Sequence, residues 1–296
     1  MVNRLFESSL LDHRPAQVTA NRRLGRGALL RVGAVQYLNS KPLVHGLSSA
    51  EIDYGVDLPS RLADRLSAGQ LDVALIPSIE LFRGDRYQVV STACIACHGP
   101  VMSVKLFFRT PPGRVARLAV DEGSRTSAAL ARILLAERHG VSPEVEVLPM
   151  GAGLADTAAD AVLLIGDRAI GGQAGSFQLI WDLGDEWCRW TGLPFVFAVW
   201  AARRDVPAVE LARMERLLTQ ARDHGRAHLA AIAAAEAAGH GLTVQQCLGY
   251  LRDNLHYCLG TPERSALAAF YAHASKLALA PAGLDVASTM FVAPSH

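Results

Sequence analysis

The sequence predicts an α/β protein of two lobes closing on a central ligand cleft. Three features carry this expectation. Short apolar strands alternate with helical stretches from Leu29 onward, the pattern of a mostly parallel sheet covered by helices. A break at Thr110-Pro111-Pro112-Gly113 is followed by a second strand–helix series, as Pro and Gly clusters mark chain interruptions. An apolar stretch at 195–201 then precedes a tail that is nearly all helical in pattern, so the chain crosses twice between the lobes.

The elements follow in order. Residues 29–35 read as a buried strand, after which Asn39, Ser40 and Pro42 supply helix-start chemistry. A strand at 52–56, a helix at 60–67 ending near Gly69, and an apolar strand at 71–76 cut by Pro77 complete the first series. Residues 101–108 are strand-like. Beyond the break comes a strand at 118–120, and Ser124 opens a helix to about His139, stopped by Gly140 and Pro143. Strands at 145–148 and 161–165 follow, and Asp182, Asp185 and Glu186 beside Trp181 and Trp187 read as a solvated loop with aromatic anchors. Asp205 is placed to cap a helix with Pro207 in its first turn. Three helices are expected at 206–238 (interrupted near Gly225), 243–254 and 262–278. The first lobe is then 29–108 plus the helical part 203–296, the second 109–202, with residues 1–28 a flexible leader.

Composition narrows the function classes. Half of the 296 residues are apolar, 19% are charged and the net charge is +1, which gives no electrostatic reason to expect nucleic acid or an anionic membrane. No apolar run is long enough for a membrane span. Arg-rich residues 1–28 lack the apolar core of a secretory signal, so a cytoplasmic protein with five reduced cysteines is expected. Its oligomeric state is expected to be monomer or homodimer.

Ligands of open α/β sheets sit beyond the carboxyl ends of strands, and several predicted strands end in polar residues. Tyr37, Asn39 and Ser40 follow the first, Ser78 and Glu80 the third; Asp121 to Ser127 close one strand of the second lobe and Gly166-Asp167-Arg168 another. The N–H groups of Arg125, Thr126 and Ser127 open a helix and lack intrahelical acceptors, so with Ser124 they form a seat for a carboxylate or phosphate. Plain capping explains the same residues, and spacing alone favours it. Asp167 fits an acid or base and fits a pairing with Arg168 equally well.

Three motif matches are set aside. Cys94-Ile95-Ala96-Cys97-His98 has the spacing of haem attachment, which needs export, and as a zinc site it lacks a second ligand pair. His224 and His228 have the i, i+4 spacing of a zinc-protease helix without its glutamate, and a solvent-facing helix is the better account. Gly171, Gly172 and Gly175 form no phosphate-binding fingerprint. No metal and no cofactor are expected.

Several stretches together resemble the MqnA-type chorismate dehydratases of the futalosine route to menaquinone. They are Tyr37-Leu38-Asn39 with Pro42, Ala74 to Glu80, Gly99-Pro100-Val101 with Ser103-Val104, Asp121 with Ser124 to Ser127, and Leu164 to Asp167. Asp182 to Trp187, Thr191 to Phe195 and Phe197 to Trp200 follow in the same order. The resemblance implies a fold similar to type II periplasmic binding proteins and a cofactor-independent hydro-lyase. The implied reaction removes water from chorismate to give 3-[(1-carboxyvinyl)oxy]benzoate. For that reaction the strand-end residues suggest that the substrate's enolpyruvyl carboxylate takes the ring proton, with Asn39 and Asp167 the catalytic candidates, Asp167 the runner-up acid or base and Glu80 and Glu122 behind it. Tyr37, Ser40, Ser78, Gly99, Ser103, Ser124, Arg125, Thr126 and Ser127 would bind the substrate. The related 1,4-dihydroxy-6-naphthoate synthases share the fold, but their N-terminal signature differs from Tyr37-Leu38-Asn39. A non-catalytic carboxylate binder of the same fold is the alternative of a different class.

Overall fold

The computed structural model describes residues 29–47, 52–84, 86–171 and 177–286; the expectations for residues 1–28 and for Gly172 and Gly175 lie outside them. Two sheets form the frame. The first contains β1 (Leu30–Val35), β2 (Ile52–Asp57), β3 (Val73–Pro77), β4 (Tyr87–Cys97), β10 (Phe195–Arg203) and β11 (His256–Cys258), in the order β11-β4-β10-β3-β1-β2. The second contains β5 (Val104–Phe108), β6 (Arg117–Asp121), β7 (Glu144–Leu148), β8 (Ala161–Ile165) and β9 (Leu179–Asp182), in the order β7-β6-β8-β5-β9. The runs β1, β2, β3 and β6, β7, β8 are parallel, as expected of strands joined by crossover helices.

One antiparallel strand in each sheet carries the crossing. β10 runs antiparallel between β3 and β4, and β5 runs antiparallel between β8 and β9. This changes two assignments. The sequence places residues 104–108 in the first lobe and 195–202 in the second; pairing puts β5 in the second sheet and β10 in the first. Both strands are almost wholly buried, and a strand buried on both faces gives no local sign of the sheet it belongs to. Because each is inverted, its N-terminal end lies beside the carboxyl ends of its parallel neighbours. The same edge of each sheet therefore faces the gap.

The helices are α1 (Lys41–Val44), α2 (Pro59–Ser67), α3 (Thr126–His139), α4 (Asp167–Ile170), α5 (Leu183–Thr191), α6 (Ala208–Ala227), α7 (Leu229–Glu236), α8 (Val244–Gly249) and α9 (Thr261–Lys276). The expected loop around Asp182 is instead the end of β9 and α5. Asp182 caps that helix, accepting from Gly184 N at 3.0 Å and Asp185 N at 3.2 Å, and its carboxylate also holds Val101 N and Met102 N of the first crossing. Trp187 is fully buried, its indole N–H donating to the Pro194 carbonyl of the second crossing. Asp205 does not cap α6; it pairs with Arg203, and Pro207 occupies the N-cap position. No helix among the described residues is long and apolar enough to cross a membrane.

Candidate active site

A cavity opens where the sheet edges face each other, enclosing about 490 Å³ counted with its mouth. β1 and the turn after it bring Val35, Tyr37 and Asn39. The segments entering β5 and β10 bring Ser103 and Val104, and Phe197 and Ala198; the end of β8 brings Ile165 and Gly166. The N-terminal approach to α3 supplies Gly123, Ser124, Arg125, Thr126 and Ser127. α3 is rich in Ala and Leu and ends on left-handed Gly140 at φ 68°, so its alignment is set by packing and its free N–H groups open into the cavity.

Four polar atoms here are buried without a hydrogen-bond partner: Tyr37 Oη, Asn39 Oδ1, Ser103 Oγ and Ser124 Oγ. Native interiors rarely leave such atoms unpaired, so four around one cavity describe a surface complementary to a polar ligand. Ser124 was expected to cap α3, but Arg125 holds the N-cap position and no side chain caps it. That leaves the Ser124 hydroxyl free. Tyr250 stands behind this wall, its hydroxyl beside Ser103 and Asn39, yet none of the three completes a well-aligned hydrogen bond with another. Tyr37 packs on Gly166, where a Cβ would lie 2.7 Å from the ring carbons and φ is +60°; only glycine fits. Burial, then the charges of Asp121 and Asp167, push the Tyr37 phenol well above its ordinary value, so it remains an O–H donor.

Other expected residues are engaged in contacts within the protein. Ser40 Oγ is used up inside the turn, donating to the Val35 and Tyr37 carbonyls. Ser78 donates to Val196 O at 2.7 Å, and Thr126 Oγ1 accepts from Ile79 N at 3.2 Å, so this hydroxyl pair fastens the lobes together. Gly99 lies on the first crossing, away from the cavity lining. The Arg125 guanidinium reaches over the gap to Asp64 at 2.8 Å and to buried Glu80 at 3.2 Å. Asp167 points out of the cavity: Oδ1 accepts from Leu38 N at 3.0 Å and Oδ2 lies 3.4 Å from His240 Nδ1. Glu122 is engaged by Arg61 and Met150 N, and Asp121 by Arg168 and Gly123 N. Sequence reading missed the apolar lining from Ile95 and Phe197, and Tyr250. Phe197 became findable only once β10 was seen to run backwards.

The profile of a family described as menaquinone biosynthesis matches residues 30–276. The chain belongs to that family. A chorismate dehydratase of Thermus thermophilus is 34% identical over 268 residues, covering 84% of this chain and 96% of the relative. Among solved structures, protein AF1704 of Archaeoglobus fulgidus superposes with a TM-score of 0.68 at 18% identity, over 84% of this chain and 98% of that one. The periplasmic aliphatic sulphonate binding protein SsuA of Escherichia coli gives 0.59 at 15%, over 90% and 92%. At such identities the structures speak for the fold alone, which is that of the two-lobed periplasmic binding proteins.

In this member of the menaquinone biosynthesis family the cavity is neutral in an unusual way. Among the described residues its lining includes no Asp, Glu, His, Lys or Cys; Arg125, the one charged member among them, is ion-paired, and Tyr37 is held protonated. Such a surface can donate hydrogen bonds, orient and exclude water. It offers no side chain suited to taking a proton near neutral pH.

Proposed function

We propose that the chain is a chorismate dehydratase that uses no cofactor and in which the substrate supplies its own base. The observation that carries this is the lining: unpaired hydroxyls, one amide and a helix N-terminus, without a free carboxylate or imidazole among the described residues. The ring carboxylate of chorismate is seated at the start of α3, where Ser124, Ser127 and the first-turn N–H groups meet it. Asn39 and Ser103 hold the other end, with Tyr250 behind them. The enolpyruvyl carboxylate then lies over the ring carbon that bears its own ether oxygen. It takes that carbon's proton, the electron pair becomes the third ring double bond, and the neighbouring hydroxyl leaves to make one water. Asn39, through its amide N–H, assists the departing hydroxyl. Aromatisation supplies the drive, so the protein contributes chiefly orientation and a dry, fixed polar frame.

Every group in this scheme comes from one chain, so no partner subunit is required. A cytoplasmic setting fits the five cysteines, all of which stand as free thiols. Asp167 is assigned to positioning, since its carboxylate holds the backbone of Leu38, the residue before Asn39. The experiment is turnover of chorismate followed by ultraviolet absorbance and product mass. Conversion to 3-[(1-carboxyvinyl)oxy]benzoate, abolished by Asn39→Ala and retained within about threefold by Asp167→Asn, is the expected result. Tight binding of unchanged chorismate would mark a binder. Loss of turnover in Asp167→Asn with binding intact would return the proton to a side chain.

A further inference from the structure

Outside the cavity, three histidines from two distant parts of the sequence meet on one surface. His224 lies in the last turn of α6 and His228 caps its C-terminal end, four residues on, while His45 follows α1. The His45 and His224 rings stack at 4.9 Å between centroids, His224 and His228 stand 4.2 Å apart, and His45 and His228 5.6 Å apart. One nitrogen from each ring lies within 4.8 Å of the other two. No ring donates to another. The His228 Nδ1 contact is instead to the His224 carbonyl oxygen at 2.7 Å, which fixes the proton on Nδ1 and leaves the Nε2 lone pair outward. A histidine that binds metal uses this same outer hydrogen bond.

The backbone explains why the three converge. Gly225 lies between the α6 histidines, and a Cβ there would come within 2.0 Å of the Pro42 carbonyl oxygen. Only a glycine lets α1 dock so closely, and the docking carries His45 over His224 and His228. Gly46, at φ +85°, then turns the chain away beside the His224 ring. Three imidazole rings that meet without hydrogen bonds to one another gain little from ring contact alone, whereas a shared cation would draw one nitrogen of each to a common point.

We propose that His45, His224 and His228 form a binding site for a borderline divalent transition-metal ion, best matched by Zn²⁺, with the fourth position open to water. A point equidistant from three atoms at the observed spacing is at most ~2.8 Å from each, so ring movements of under ~1 Å reach the 2.0–2.1 Å of a zinc–imidazole bond. Three nitrogen ligands suit Zn²⁺, and also Cu²⁺ or Ni²⁺. The site is separate from the proposed reaction. It joins α1, which begins just after Asn39 and Ser40, to α6, so an ion there braces the far end of the segment that presents Asn39.

The test is Zn²⁺ titration of the full, untagged chain by competition with a chromophoric chelator, paired with thermal melts. One ion per chain at micromolar affinity or tighter is expected, with a higher Tm when zinc is present. Co²⁺ should give the intense visible bands of a four-coordinate site. His45→Ala and His228→Gln should each weaken binding roughly 10–100-fold, in proteins whose zinc-free melting points match the parent. The other cluster of His98, His256 and Glu263 serves as the control, and His98→Ala should leave the ion bound. No binding by the parent, unchanged affinity in His45→Ala, or loss only in His98→Ala would each overturn the assignment.

Discussion

The floor of the cleft and its rim are both built from polar residues and use them in opposite ways. On the floor, Tyr37, Asn39, Ser103 and Ser124 keep buried polar atoms without partners. On the rim, Arg125 with Asp64 and Glu80, Arg61 with Glu122, and Asp167 with Leu38 N satisfy one another from lobe to lobe. An unpaired buried polar atom costs stability until a ligand arrives, whereas a paired one holds the lobes in place. The floor is therefore a surface of unpaired polar atoms maintained at a structural cost, and the rim offsets that cost. Variants should separate the two cleanly.

The largest effect should come from the floor. Asn39→Ala is expected to lower kcat by about 10³-fold, some 4 kcal/mol of transition-state stabilisation, while leaving the melting temperature unchanged, because Asn39 Oδ1 has no protein partner to lose. A fall in stability parallel to the fall in kcat would make Asn39 a structural residue and erase the contrast. The rim answers with Arg125→Ala. It strands Glu80, whose side chain is 4% exposed and retains only Arg83 at 3.3 Å, and should cost about 2–3 kcal/mol of stability. That corresponds to a Tm lower by roughly 3–5 °C, and a Tm unchanged in the melt would show that the clamp is idle.

Ser124→Ala should be smaller and purely functional. Its hydroxyl is free and faces the seat at α3, so KM should rise about tenfold, near 1.4 kcal/mol, with kcat within a few-fold. The smallest effect belongs to Glu122→Gln. The bond from Met150 N, then Arg61, holds the Glu122 carboxyl below its ordinary value. A lowered folded pKa contributes stability above the unfolded pKa of about 4.3 and loses it as pH falls through the folded value. The variant should thus flatten the acid side of the stability profile by less than about 1 kcal/mol, since the pair is half open to water. Identical acid limbs in urea melts of parent and variant would remove Glu122 from the rim.

Asp167 shows why this contrast was hidden in the sequence. Its place after an apolar strand fitted a catalytic acid, and only the 3.0 Å bond to Leu38 N, a residue 129 positions away, reveals a brace. Burial, opposed by that bond and by His240 and Lys41, holds its carboxyl above the ordinary value. Ser78 and Ser40 are read differently for the same reason, as hydroxyls whose acceptors are backbone carbonyls chosen by packing. Ser124 carried two readings in the sequence, a cap and part of an anion seat, and its hydroxyl caps nothing. The histidines of α6 read as a solvent-facing pair until α1 brought His45 beside them.

The sequence by itself determined the parallel strand–helix units, a helix opening near Ser124 after a strand end, and the likeness to the menaquinone family. All of these depend on residues within a few positions of one another, where periodicity, capping chemistry and motif order act. Tertiary structure decided which sheet β5 and β10 join, which polar atoms lose their partners, and which charged groups meet across the gap. Those outcomes follow from register and from packing between segments a hundred or more residues apart. There, burial on both faces makes a strand's own residues equally suited to either sheet.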